Sequence, residues 1–148
     1  ATCSLVCLDE SGAAVGIDPT EPEKNERNVI VWLDHRSNAQ AVRINEQGHA
    51  RLQTVGGKIS PEMEVPKMLW IKEHMPGAFQ RANRGRFLDL TDFLTFRATD
   101  GVDDTRSLCT VVCKWNYHAN ADGDGMGWDR TFLESSGFGP NELLPSTI

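Results

Sequence analysis

A short apolar run followed at once by three ionisable residues is the sequence feature that most constrains the fold. Residues 28–36 read Asn-Val-Ile-Val-Trp-Leu-Asp-His-Arg. The β-branched residues predict a buried strand over 28–33, and Asp34, His35 and Arg36 follow at its end. In open α/β sheets, ligands bind at the carboxyl ends of the strands. The run therefore predicts a ligand-binding edge, although a strand that simply runs into a solvated loop gives the same pattern.

The composition is that of one globular domain and argues against two kinds of partner. The chain has 148 residues, a net charge of −6 and a hydrophobic fraction of 39%, which suffices for a single core. A negative net charge disfavours binding to a nucleic acid backbone. Since no apolar run reaches membrane-spanning length, we expect neither nucleic acid nor a membrane as a partner.

Strand and helix patterns together predict an α/β fold with a short mixed sheet and several helices. The strands have β-branched residues bounded by turn residues, and lie at 2–8, 28–33 and 86–90. The helices have caps or proline at their starts, and lie at 38–45 after a Ser37–Gln40 capping box, at 66–75, at 78–83, after Thr91 and after Asp129. The apolar segment 107–117 fits either type.

The four cysteines are Cys3, Cys7, Cys109 and Cys113, and each stands among apolar residues. This setting predicts buried, reduced thiols and a cytoplasmic protein. A four-cysteine zinc site is an alternative, but its pairs usually have tighter spacing. A calcium loop beginning at Asn120 is another, although the twelfth position is Thr131 instead of glutamate.

Several polar residues are candidates for binding a polyhydroxylated ligand. Asp34, His35 and Arg36 offer both donors and acceptors, as sugar hydroxyls require, and Glu62 with Met63 could form a second wall. Lys114 follows an apolar run, so it either binds a carboxylate, hydroxyl or ligand oxygen or extends to solvent. The residues alone leave both roles for Lys114 open.

Five segments, taken in order, resemble the FGGY family of carbohydrate kinases, most closely its ribulokinase-like branch. They are Val-Trp-Leu-Asp-His-Arg at 31–36, Gly-Gly-Lys-Ile-Ser-Pro-Glu-Met at 56–63, Pro-Lys-Met-Leu-Trp at 66–70, Phe-Leu-Asp-Leu-Thr-Asp-Phe-Leu-Thr at 87–95 and the segment 106–117. Each is weak alone, but their shared order covers nearly the whole chain.

The resemblance implies a fold, an activity and cofactors. The fold would be part of an actin-like, ribonuclease-H-like domain, and residues 1–148 would form the later part of the N-terminal, sugar-binding domain. The intact kinase would use ATP and Mg²⁺ to phosphorylate a hydroxyl of a pentulose or polyol. Its partners would be that substrate and the remainder of the kinase chain, with a homodimer left open.

The resemblance also implies which residues bind the sugar. Thr2 and Cys3 would end a strand that approaches the sugar. Asp34, His35 and Arg36 would line the neighbouring wall of the sugar pocket. Glu62, Met63 and Lys114 would complete this part of the pocket. No catalytic residue is expected in this chain, because the family's base belongs to a later domain.

The glycine-rich phosphate hairpin, the C-terminal ATP domain and the base of the family have no counterpart in this sequence. We therefore expect a fragment that holds no ATP or Mg²⁺ and is inactive alone. Strand composition from the first residue also suggests that the sequence continues upstream. The alternative is a free-standing, non-catalytic sugar- or metal-binding module.

Overall fold

The computed structural model describes residues 3–101, 105–119 and 127–143. Its sheet has three strands, β1 (Leu5–Leu8), β2 (Val29–Ile30) and β3 (Arg86–Asp89), in the order β2-β1-β3. Leu5 of the central strand pairs with Ile30 on one side and with Asp89 on the other. Both pairings are antiparallel, so the α/β class is confirmed and the expected mixed sheet is antiparallel in its described part.

Helices flank the sheet and occupy most of the regions where the sequence predicts them. They are α1 (Asn38–Glu46), a 3₁₀ helix (Ala50–Val55), α2 (Glu64–His74), α3 (Pro76–Arg84), α4 (Leu90–Ala98), α5 (Leu108–Trp115) and α6 (Arg130–Ser136). The segment of ambiguous type is therefore helical at α5.

The central strand separates two hydrophobic clusters because its side chains alternate between the faces of the sheet. Leu5 and Cys7 join the main core, to which α2, α3, α5 and α6 contribute. Val6 and Leu8 point the other way, into a smaller cluster that contains Phe96 of α4. All four residues of β1 are buried, so the strand holds the start of the chain firmly in the core.

Local signals place several helix ends correctly. Asp129 Oδ1 accepts a hydrogen bond from the Phe132 backbone N–H at 3.1 Å, and Gly137 ends α6 in the left-handed conformation, with φ 113°. The capping box predicted before α1 does not form. Ser37 Oγ instead donates to the Pro61 carbonyl at 3.0 Å, and Gln40 Nε2 donates to Glu73 at 2.7 Å.

The predicted buried strand over 28–33 forms only in part. Val29 and Ile30 pair with β1, and of these two residues only Ile30 is buried. Val31, Trp32 and Leu33 have exposed fractions of 45%, 44% and 60%. The Asp34 N–H donates to the Val31 carbonyl at 3.0 Å, and this turn takes the chain away from β1. Asp34, His35 and Arg36 therefore follow a turn and do not lie at the end of a buried strand.

Within the residues described, none of the helices has both the length and the apolar character needed to cross a membrane.

Candidate functional site

The start of β1 is held from two sides. The Cys3 carbonyl accepts a hydrogen bond from Lys67 Nζ. Ser4 is buried, its hydroxyl oxygen accepts from the Trp32 N–H at 3.2 Å, and its carbonyl accepts from the Leu90 N–H at 3.0 Å. The predicted site residue Thr2 lies outside the described residues, whereas Cys3 is half-buried where β1 begins.

Asp34 and Arg36 bind chiefly to each other. Asp34 Oδ1 accepts from the Arg36 backbone N–H at 2.9 Å, and Oδ2 accepts from Arg36 Nε at 2.8 Å. Arg36 also donates to the Ile17 carbonyl at 3.0 Å, and its guanidinium lies 4.8 Å from the centre of the Trp70 ring. These contacts commit most of the donors of Arg36 to the fold.

The charges around Asp34 keep it ionised. Burial raises the pKa of Asp34, but the hydrogen bonds from Arg36 and the charges of Arg36 and Lys67 outweigh burial, so the pKa lies below its usual value. His35 differs from its two neighbours because 57% of its side chain is exposed. It is therefore the member of the trio best placed to meet a ligand.

Lys114, in the last turn of α5, lies beside two of the other predicted residues. Burial lowers the pKa of Lys114, but a hydrogen bond to the Cys3 side chain and the charges of neighbouring groups, including Glu62, raise it above its usual value on balance. The ammonium group is thus partly buried and charged, with a thiol and a carboxylate close by. These neighbours are consistent with a lysine that has polar partners, and the role of Lys114 in ligand binding stays a prediction.

Glu62 lies beside His35 and its charge acts on Lys114. Its carboxylate oxygen Oε1 lies 3.9 Å from His35 Nε2, and its side chain is 38% exposed. Met63, directly after it, is the N-cap residue of α2 and packs its side chain into the main core. We call Cys3, His35, Glu62 and Lys114 the candidate surface.

The candidate surface is open and offers both hydrogen-bond donors and acceptors. Two cavities of about 350 and 390 Å³ lie elsewhere, one beside Arg86 and Phe96 and the other beside Pro22 and Met75. Lys114 can donate, the Glu62 carboxylate can accept, and a neutral His35 can do either. Binding several neighbouring sugar hydroxyls requires this combination of donors and acceptors.

Three buried ionisable residues beneath the candidate surface do not appear in the sequence prediction. Glu64 and Lys67 of α2 and Asp89 of β3 are each 0% exposed. Lys67 Nζ lies 3.3 Å from Glu64 Oε2, and Trp115 Nε1 donates to Asp89 Oδ2 at 2.6 Å. The sequence feature that could have indicated a buried ion pair is the opposite charges of Glu64 and Lys67, three residues apart within a largely apolar stretch.

The cysteine predictions are correct only in part. All four thiols are unpaired, and Cys7 is buried, but Cys109 and Cys113 are exposed. The reason is that α5 buries Thr110, Val111 and Trp115 on its other face. Across the described ranges, no group of three or more His, Cys, Asp or Glu side chains is arranged to hold a metal ion. The acidic loop proposed for calcium lies mainly outside those ranges.

The family model for the N-terminal domain of the FGGY family of carbohydrate kinases matches residues 14–147. This chain belongs to that family. It is 46% identical over 138 residues to an FGGY carbohydrate kinase domain-containing protein from Homo sapiens, covering 93% of this chain and 23% of that protein. It is 41% identical over 142 residues to a D-ribulokinase from Saccharomyces cerevisiae, covering 93% of this chain and 19% of that protein.

A solved structure supports the expected architecture. The crystal structure of a xyloylose kinase from Brucella ovis matches with a TM-score of 0.51 and 21% identity, covering 64% of this chain and 17% of that one. The likeness confirms the actin-like, sugar-kinase type of fold. This chain thus spans only 19–23% of the length of these curated relatives.

Proposed function

We propose that the protein containing this FGGY domain transfers the γ-phosphoryl group of ATP to a hydroxyl of a pentulose or a related polyol. The observation that carries the proposal is the convergence of Cys3, His35, Glu62 and Lys114 on one open surface. A pentulose is favoured over other sugars because a relative at 41% identity is named a D-ribulokinase.

In this proposal the chain binds and orients the sugar. Lys114 donates to a hydroxyl or carbonyl oxygen of the sugar, and Glu62 accepts from a neighbouring hydroxyl. His35 donates or accepts according to its tautomer. Asp34 and Arg36 support the candidate surface through their mutual hydrogen bonds, and Met63 follows Glu62 at the start of α2. Thr2 keeps its predicted role in sugar binding and lies outside the described residues. Fixing the sugar in this way contributes to catalysis by orientation.

ATP and Mg²⁺ are assigned to other parts of the kinase. The described residues do not fit a magnesium–nucleotide site, because Asp34 is bound to Arg36 and no suitable cluster of metal-ligating side chains occurs among them. Phosphoryl transfer requires cations and donors around the phosphates. We therefore expect the 148-residue chain by itself to release no ADP in the presence of a pentulose.

The test is a coupled assay of ADP release by the complete gene product that encodes this sequence. D-ribulose, L-ribulose, D-xylulose, ribitol and glycerol are compared by kcat/KM, and we expect the highest value for a pentulose. ADP release that no added sugar or polyol stimulates would contradict the proposed function. A clear preference for glycerol would contradict the assignment to pentuloses.

A Lys114→Ala variant tests the part that this chain plays. Loss of a charged donor to the sugar costs about 1.5–3 kcal/mol, so the sugar KM should rise roughly ten- to a hundred-fold. The melting temperature should change little, because Lys114 lies at the edge of α5. Equal sugar KM values in variant and parent would make Lys114 a structural residue.

A further inference from the structure

A buried ionic network lies beneath the candidate surface. It consists of Glu64, Lys67, Asp89 and Trp115, all of which are buried. Lys67 Nζ lies 3.3 Å from Glu64 Oε2 and also donates to the Cys3 carbonyl. Trp115 Nε1 donates to Asp89 Oδ2 at 2.6 Å. The ionisable groups are thus two acids and one base in a region that water does not reach.

Among Glu64, Lys67 and Asp89 alone, the charges balance when one of the two carboxyl groups is neutral. If both were ionised, three buried oxygens would have no hydrogen-bond partner among the described residues, namely both oxygens of Glu64 and Oδ1 of Asp89. Buried unpaired acceptors and an uncompensated buried charge are both costly. One proton held between the two carboxyl groups, with Glu64 donating and Asp89 accepting, gives a partner to Asp89 Oδ1 and to one oxygen of Glu64. Glu64 Oε2 lies 3.3 Å from Lys67 Nζ.

The electrostatic environment agrees with this assignment of the proton. Burial raises the pKa of Glu64 well above its usual range; Lys67 lowers it, and the adjacent Asp89 raises it. Other charged groups among the described residues also act on the network. Asp92 of α4 acts on Asp89, Asp34 interacts with Lys67, and the Arg106 guanidinium lies 5.3 Å from the centre of the Trp115 ring.

The network connects the elements that carry the candidate surface. Lys67 binds the Cys3 carbonyl at the start of β1, and Glu64 is the first residue of α2, two positions after Glu62. Trp115 is the last residue of α5 and follows Lys114 directly. A change in the network therefore moves the backbone next to three of the four surface residues.

We propose that Lys67, together with the Glu64–Asp89 carboxyl pair and its single shared proton, positions the candidate surface for sugar binding. Lys67 fixes the Cys3 carbonyl, and Asp89 fixes the end of α5 through Trp115. The role in sugar binding rests on the proposed function, whereas the shared proton and the anchoring of Cys3 do not.

The kinetic test compares Lys67→Met with Lys58→Met in the complete gene product. Lys58 is exposed in the loop before α2, so its variant controls for the loss of a lysine charge. Because a small displacement of binding groups can cost up to about a hundred-fold, we expect Lys67→Met to raise the sugar KM at least about ten-fold. The KM for ATP should stay within about two-fold of the parent value. An unchanged sugar KM, or equal rises for sugar and ATP, would overturn the positioning role.

Trp115→Phe provides a milder variant should Lys67→Met fail to fold. It keeps an aromatic ring in the core but removes the N–H that binds Asp89. The expected result is again a selective rise in the sugar KM. A variant that folds and binds sugar with the parent KM would contradict the role given to Asp89.

Two spectroscopic measurements judge the network independently of kinase activity. With ¹³C-carbonyl cysteine labelling, the Cys3 carbonyl resonance should shift in Lys67→Met and stay in place in Lys58→Met. Infrared spectra at neutral pH should show a protonated carboxyl group that is lost in Glu64→Gln. If either expected change is missing, the network as described is wrong. If both occur but the complete gene product phosphorylates no sugar, the proposed function fails and the anchoring of Cys3 stands.

Discussion

Replacing Asp89 with asparagine should flatten the pH dependence of the free energy of unfolding. Asp89 ends β3 and is 0% exposed. Its pKa is raised overall from 3.8 to about 6, chiefly by burial and also by the charge of Asp92. Hydrogen bonds from Glu64 and Trp115 and the charge of Lys67 act in the opposite direction. The net result is a carboxylate that is less favourable in the folded protein than in water.

The sign and the size of this change in the free energy of unfolding follow from the pKa shift of Asp89. Between about pH 4 and about pH 6 the folded state holds more protons at this site than the unfolded state, so the free energy of unfolding falls as the pH rises. A shift of roughly two units corresponds to about 3 kcal/mol. Asparagine does not ionise, so the stability of Asp89→Asn relative to the parent should improve by up to about 3 kcal/mol across this window.

Urea unfolding at several pH values between about 4 and 7 measures this difference. Glu46→Gln on the exposed face of α1 is the matched control, because it makes the same acid-to-amide change away from the core. The control should keep the pH profile of the parent. Parallel profiles for the parent and Asp89→Asn would refute the reasoning, since they would mean that Asp89 titrates alike in the folded and unfolded states.

Two further outcomes follow from burial and backbone packing. Iodoacetamide should alkylate the exposed Cys109 in the folded protein but the buried Cys7 only on unfolding. Peptide mass spectrometry measures the alkylation of each cysteine, and similar alkylation rates for Cys7 and Cys109 in the folded protein would contradict their different burial. Gly85→Ala should lower the free energy of unfolding by about 3 kcal/mol or more, because the added Cβ would lie 2.3 Å from the Leu8 carbonyl oxygen. Gly77→Ala is the control, since no atom lies within 4 Å of a Cβ added at Gly77. Equal unfolding midpoints for the two alanine variants would contradict this packing.

The sequence predicts helix ends well where a local side chain or backbone conformation determines them. Asp129 caps α6 and Gly137 ends it. Each of these signals acts within one turn of the helix, so no information about the rest of the fold is needed. The Ser37–Gln40 capping box failed because both side chains found partners outside α1.

The segment 28–33 shows that the local sequence pattern does not determine burial. Its apolar residues suit a buried strand, but only Val29 and Ile30 pair with β1. Burial depends on which segment covers a face, and that is a property of the tertiary structure. The exposed Val31, Trp32 and Leu33 are therefore compatible with the sequence pattern but not predictable from it.

The resemblance points to the members of the candidate surface, but not to the buried residues that lie beneath it. Cys3 and Glu62 both act on Lys114 in the structure, and the role of these three residues in sugar binding stays a prediction. Lys67 was missed because its partner, the Cys3 carbonyl, lies 64 residues away in the sequence. A long-range contact of a lysine to a backbone carbonyl leaves no pattern in a single sequence.

Contacts among the exposed groups are too weak to fix the geometry of the candidate surface. His35 and Glu62 lie 3.9 Å apart and are well exposed, and ion pairs of this kind contribute at most about 1 kcal/mol. The buried network is different, because removing one partner of a buried pair costs about 3–5 kcal/mol. In the proposed arrangement, the spacing between Cys3 and Lys114 depends mainly on Lys67, Asp89 and Trp115. Under the proposed function, substitutions at the exposed residues should then change which sugar is bound, while substitutions in the network should weaken the binding of all sugars alike.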